Sequence, residues 1–136
     1  MNTIKHNLMI KVLPAVVYQA ITTQQGLAAW WAKETTAKEE LGYTNIFVFG
    51  TSRNEMKITA LDQHKKVEWK CIQSISEWIH TTITFELEEK DGRTLLRFSH
   101  SGWQSMNDTF ADCNYAWGRF MSSLKSYCES GTGSPS

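Results

Sequence analysis

Few side chains in this 136-residue chain have the type and spacing to do chemistry. His100 stands in the stretch LRFSHSGW, Leu96–Trp103, with Ser99, Ser101 and Ser105 near it. Serine beside histidine suggests nucleophilic attack, yet that chemistry needs an Asp or Glu to orient the imidazole, and none is placed to do so. His100 therefore fits three uses: a hydrogen bond that orients a ligand, an acid/base group, or a histidine satisfied inside the core or at its rim. The last is the commoner fate of a buried polar group. Cys71 and Cys113 fall on apolar faces with no Lys or Arg set to lower a thiol pKa, which describes inert thiols. His6 shares the inward parity of the first strand and could approach His100. No H-x-x-x-H, H-E-x-x-H or carboxylate cluster accompanies the pair, and no glycine-rich phosphate loop occurs. No catalytic residue, metal ligand or cofactor is expected.

Composition narrows the partners. Fourteen basic and fourteen acidic residues cancel, so nucleic-acid or anionic-membrane binding driven by net charge is not expected. No run approaches the ~20 apolar residues of a transmembrane helix. The opening MNTIKHNLMIKVLP has charges spread through it and reads neither as a signal peptide nor as an anchor. Cys71, Cys113 and Cys128 are odd in number and lack C-x-x-C spacing, which fits reduced thiols in a cytoplasmic protein. Six Trp, six Phe and four Tyr are many for one small domain; rings of this size fill a core or line a pocket.

The elements that must position these groups can be read from periodicity. Residues 107–129 place Phe110, Cys113, Trp117, Phe120, Met121, Leu124, Tyr127 and Cys128 three or four apart, one stripe of a long α-helix. Asn107 or Asp108 can cap its start and Gly131 its end. Residues 3–12 alternate as a half-buried strand with Ile4, His6, Leu8, Ile10 and Val12 on one face. Pro14 suits a first helical turn, and Leu27–Trp31 forms a second short helical piece, with one of Trp30 and Trp31 inward and the other outward. Residues 33–44 read as polar loop. Strands follow at 45–50, 55–61 and 67–71, then at 79–87 with Ile79, Thr81, Ile83, Phe85 and Leu87 inward. Asp91-Gly92 is the strongest hairpin signal; a two-residue turn there pairs Lys90 with Arg93 and sets Leu87, Phe85 and Ile83 opposite Leu96, Phe98 and His100. The pattern predicts an α+β fold.

Four stretches carry a family resemblance: GLAAWW at 26–31, VEWKC at 67–71, LRFSHSGW at 96–103 and WGRFMSSLKSYCESGTGSP at 117–135. In their order they resemble the START-like, Bet v 1-like helix-grip superfamily (SRPBCC), and within it the group of the activator of heat-shock-protein-90 ATPase, C-terminal domain. The resemblance spans essentially the whole chain as a single domain, 1–136, with 130–136 expected as a flexible tail. It implies a curved antiparallel sheet of about seven strands wrapped around the long C-terminal helix, two short helices after the first strand, and an internal hydrophobic cavity. Trp30, Trp69, Thr81, Ile83, Phe85, Phe98, His100, Trp103, Phe110, Cys113, Trp117 and Met121 are the candidate cavity residues. Together these imply a protein that binds a small hydrophobic or aromatic molecule. The alternative is a protein-interaction domain that regulates a chaperone ATPase or another protein partner in a stress response; the separate N-terminal domain of the eukaryotic co-chaperone has no counterpart in these residues. An enzyme using His100 as acid/base ranks last.

Overall fold

A computed structural model describes residues 2–136. The chain runs β1 (Asn2–Ile10), α1 (Pro14–Thr22), α2 (Gln24–Trp30), β2 (Glu34–Thr36), β3 (Thr44–Phe49), β4 (Ser52–Asp62), β5 (Lys66–Gln73), β6 (Thr82–Lys90), β7 (Arg93–Trp103) and α3 (Asp108–Ser130). The seven strands form one curved antiparallel sheet in the order β1-β7-β6-β5-β4-β3-β2. Alternation puts Ile4, Ile10, Met56, Ile58, Trp69, Phe85 and Phe98 on the concave face, each at most 2% exposed. Against that face lies α3, whose stripe of Phe110, Trp117, Met121 and Leu124 is buried. Truncating a ring such as Trp117 to alanine in a core of this kind costs about 3–5 kcal/mol. This is the α+β helix grip.

Local chemistry explains why α3 starts and stops where it does. The Asn107 side chain accepts from the Phe110 N–H at 3.0 Å, and Gly131 takes φ 86° while its N–H caps Tyr127 O. The β6–β7 hairpin turns at Asp91 and Gly92, both with positive φ, and the ladder pairs Lys90 with Arg93, Leu87 with Leu96, Phe85 with Phe98 and Ile83 with His100. That is the register the two-residue turn requires.

Five details differ from the sequence reading. β1 ends at Ile10, before Val12. The stretch 33–44 contains a three-residue edge strand, β2, held by pairing with β3. β6 begins at Thr82 rather than Ile79, because His80 adopts φ 74° and breaks the extended run. Trp30 and Trp31 are both fully buried. Two neighbouring side chains diverge within a helix, but α2 ends at Trp30, and Trp31 is its C-cap at φ −115° and ψ −74°. The segment also runs between sheet and α3, so both directions lead inward. Lastly, the stretch after Gly131, expected to fray, is tied down. Ser134 N–H donates to Ser123 Oγ at 2.7 Å, Ser136 N–H donates to Trp31 O, and Lys33 N–H donates to Ser136 O.

Candidate functional site

The interior between sheet and α3 is occupied by the protein's own rings. Trp31 sits at the centre, near-parallel to Trp30 (centroids 6.0 Å apart, 18°) and to Trp69 (5.8 Å, 14°). Phe47 lies 4.4 Å and Trp117 5.3 Å from it. Phe85 stands edge-on to both Trp69 and Phe98, and Phe98 reaches Trp117 at 4.5 Å. Contacts of this length are those of packed aromatic pairs.

His100 is held within this cluster by a directed chain of hydrogen bonds. Trp117 Nε1–H, a group that can only donate, points at His100 Nδ1 at 3.0 Å. Nδ1 is thus the acceptor and the ring proton resides on Nε2, which donates to Thr81 Oγ1 at 2.8 Å. The Thr81 hydroxyl then donates to Trp78 O. Trp78 in turn stands edge-on to the imidazole at 4.7 Å and donates its Nε1–H to Cys113 Sγ at 3.4 Å. The ring is 0% exposed, and burial pushes its pKa from 6.5 down to about 3. A neutral imidazole with both nitrogens engaged has neither a free lone pair nor a deliverable proton. It ties α3, β7 and the loop after β5 together, and the geometry gives no support to acid/base work. His6 faces Phe98 across the β1–β7 ladder, while Ile4 faces His100.

Thiol chemistry is muted in the same way. Burial raises Cys71 to about 11 and Cys128 to about 12, and it raises Cys113 as well, with Asp112 and Glu77 adding to the effect.

Of the twelve candidate cavity residues, Trp30, Trp69, Thr81, Ile83, Phe85, Phe98, His100, Trp103, Phe110, Trp117 and Met121 are buried and Cys113 is half-buried. The structure gathers them between sheet and α3, where they pack on one another. Open space lies further out, at the mouth of the grip. There a cleft of about 200 Å³ is lined by Trp31, Phe49, Ser52, Asn54, Ser74, Ile75, Trp78 and Phe120. None of the twelve lines it, and none of its lining residues is charged. Two of its rings, Phe49 and Phe120, stack on each other at 6.3 Å, 29°. Ser74 Oγ donates to Asn54 Oδ1, and Asn54 Nδ2 donates to Phe47 O at 3.2 Å. The end of α2, the β3–β4 hairpin, the loop after β5 and the middle of α3 each supply part of this wall. Sequence reasoning missed the set because four distant segments meet there. One signal was present: Phe49 and Phe120 are aromatic positions at the limits of their apolar stripes. A larger cleft of about 530 Å³ lies at the opposite end of β4 and β5, lined by Leu13, Pro14, Ala15, His64, Lys65, Leu87, Glu88 and Glu89.

Residues 11–129 match the family model described as Activator of Hsp90 ATPase homolog 1-like protein. The chain belongs to this family. Among solved structures, the Aha1 dimer from Colwellia psychrerythraea shares 36% identity with the chain, covering 98% of it and 100% of the relative, at a TM-score of 0.91. MLL2253 from Mesorhizobium loti (17% identity, 91% and 94% coverage, TM-score 0.80) shares the fold. So does BH1534 from Bacillus halodurans (19%, 95% and 98%, TM-score 0.80). No curated protein matches the chain significantly. Among the described residues, no helix of this family member is long and apolar enough to cross a membrane.

Proposed function

We propose that the protein holds a small hydrophobic or aromatic molecule at the mouth of the helix grip. One observation carries the reading: four rings, Trp31, Phe49, Trp78 and Phe120, converge on a cleft with no charged residue in its wall. Apolar clefts with a few polar groups are the usual form of small-molecule sites. The twelve interior residues then act as the rigid backing that fixes Trp31 and Trp78. Three unpaired cysteines support a cytoplasmic setting. The test is a titration of isotope-labelled protein with naphthalene and its simple alkyl derivatives. Amides of residues 74–78 and the neighbours of Phe49 and Phe120 are expected to shift in a saturable way; shifts confined to the outer sheet face, or none, would reject the reading.

A second reading, contact with a chaperone or another protein, is favoured by the family and by the relative whose solution structure is a dimer. It predicts that the protein is retained on an immobilised chaperone or self-associates in sedimentation, and that these contacts survive when the cleft is filled.

A further inference from the structure

Residues 132–136 fold back along α3 instead of leading away from it. Ser126 Oγ donates to Thr132 O at 2.7 Å, and Ser134 N–H donates to Ser123 Oγ, one turn nearer the start of the helix. Ser136 reaches the corner between α2 and β2, where its N–H donates to Trp31 O at 2.9 Å and its carbonyl accepts from Lys33 N–H at 3.1 Å. Between these ties Gly133 is pressed against α2, so that a Cβ there would lie 2.5 Å from Ala29 O. Only glycine permits so close an approach of two backbones. The stretch turns at Gly131, where φ is 86° and a Cβ would meet nothing within 4 Å.

Both places that this stretch joins carry a ring of the mouth cleft. Trp31, whose carbonyl accepts from Ser136, supplies one part of the cleft wall. Phe120, one turn before Ser123 on α3, lines the cleft and also a second hollow of about 370 Å³ whose wall includes Ser134 and Ser136. Thr132, Gly133, Ser134, Pro135 and Ser136 bring no large apolar side chain to the contact. A segment held by hydrogen bonds rather than by buried apolar area opens locally while the core stays folded. Swinging about Gly131, it would release the Trp31 corner and the surroundings of Phe120 together.

We infer that residues 132–136 form a strap whose docking is linked to occupancy of the mouth cleft. The docked strap holds the Trp31 corner and Phe120 in the arrangement that takes the ligand, and a bound ligand holds the strap down. This rests on the ligand-binding reading above and adds a means of regulation to it, because whatever lifts the strap lowers the affinity. The two effects are equal by linkage: the factor by which the strap raises affinity is the factor by which ligand suppresses strap opening.

The experiment measures two quantities with naphthalene as the probe. One is its affinity for the unaltered protein and for Gly133→Ala, by titration of ¹⁵N-labelled protein. The other is hydrogen exchange at the Ser134 and Ser136 amides of the unaltered protein, free and saturated. In Gly133→Ala the new Cβ meets backbone, which cannot give way, so the strap lifts and both amides exchange fast without ligand. The variant is expected to bind roughly tenfold more weakly, and saturation to slow both amides of the unaltered protein by the same factor, a coupling of ordinary size. Equal affinities with unchanged exchange overturn the strap and leave the ligand reading standing. A change in one quantity without the other breaks the linkage and overturns it as well. Should Gly133→Ala fail to fold or keep its strap docked, exchange in the unaltered protein decides alone. If naphthalene does not bind the unaltered protein, the ligand reading fails and the strap inference falls with it.

Discussion

Acid should destabilise this protein through His100 in particular, and the size of the effect follows from its surroundings. In the folded chain the imidazole is neutral, its pKa pushed from 6.5 to about 3 by burial. In the unfolded chain the same ring binds a proton below its ordinary value. Between those two values the unfolded state holds more protons, so stability rises with pH there and is lost as pH falls. The slope approaches about 1.4 kcal/mol per pH unit, which amounts to about 2.5 kcal/mol between neutrality and pH ~4.5. His100→Gln removes the titration while keeping an amide that can accept from Trp117 and donate to Thr81. Glu77, Glu88 and Glu129, whose pKa values are held low by hydrogen bonds, contribute to acid sensitivity in both proteins and cancel from the comparison. Urea unfolding at a series of pH values would measure it. The unaltered protein should lose about 2.5 kcal/mol more than His100→Gln over this range. Equal losses would show that His100 takes up its proton in the native state, and would refute the buried, fully bonded imidazole.

Further outcomes follow from single contacts. A Cβ at position 118 would sit 3.5 Å from His6 Cε1, an ordinary contact, so Gly118→Ala should raise stability by up to about 1 kcal/mol through helix propensity. Gly26→Ala should do the opposite, by about 1–3 kcal/mol, because its Cβ would lie 2.7 Å from the backbone of Ala20; thermal or urea midpoints distinguish the two signs. Ser123 Oγ donates to Trp30 O at 2.8 Å and accepts from Ser134 N–H at 2.7 Å. Ser123→Ala should therefore cost about 1–2 kcal/mol and leave the Ser134 and Ser136 amides exchanging rapidly with solvent. Iodoacetamide at mild alkaline pH should leave Cys71 and Cys128 unmodified in the native protein and alkylate all three cysteines once it is unfolded, as peptide mass analysis would show.

What could be read beforehand was whatever local periodicity encodes. The α3 stripe, its Asn107 and Gly131 caps and the Asp91-Gly92 register depend on residues close together in the chain, and each appears where the pattern puts it. β2 was invisible because three polar residues at a sheet edge have no apolar alternation; pairing with β3 makes them a strand. Residues 79–81 keep an alternating pattern, yet His80 turns left-handed and Thr81 is drawn to His100. Trp31 misled for a third reason. A helical wheel assumes the helix continues, and α2 stops one residue earlier. For the candidate site, residue type showed which rings are interior but not which rings bound open space. That depends on how four segments meet, and no local pattern records it.

The sheet order has a consequence for how the protein is made. β1 precedes the other six strands in the chain, yet among the described residues it pairs only with β7, whose Thr94 lies opposite Ile10, 84 positions later (94 − 10). On the ribosome β1 must wait, its apolar face uncovered, while the strands from β2 to β6 emerge. The β6–β7 hairpin can close at once through its two-residue turn, so β7 is presented as a ready edge onto which β1 docks. Closing so long a loop is slow relative to local hairpins. Folding should therefore complete in one late step, when the last strand and α3 have left the exit tunnel, and the unpaired first strand is the segment most exposed to wrong partners until then.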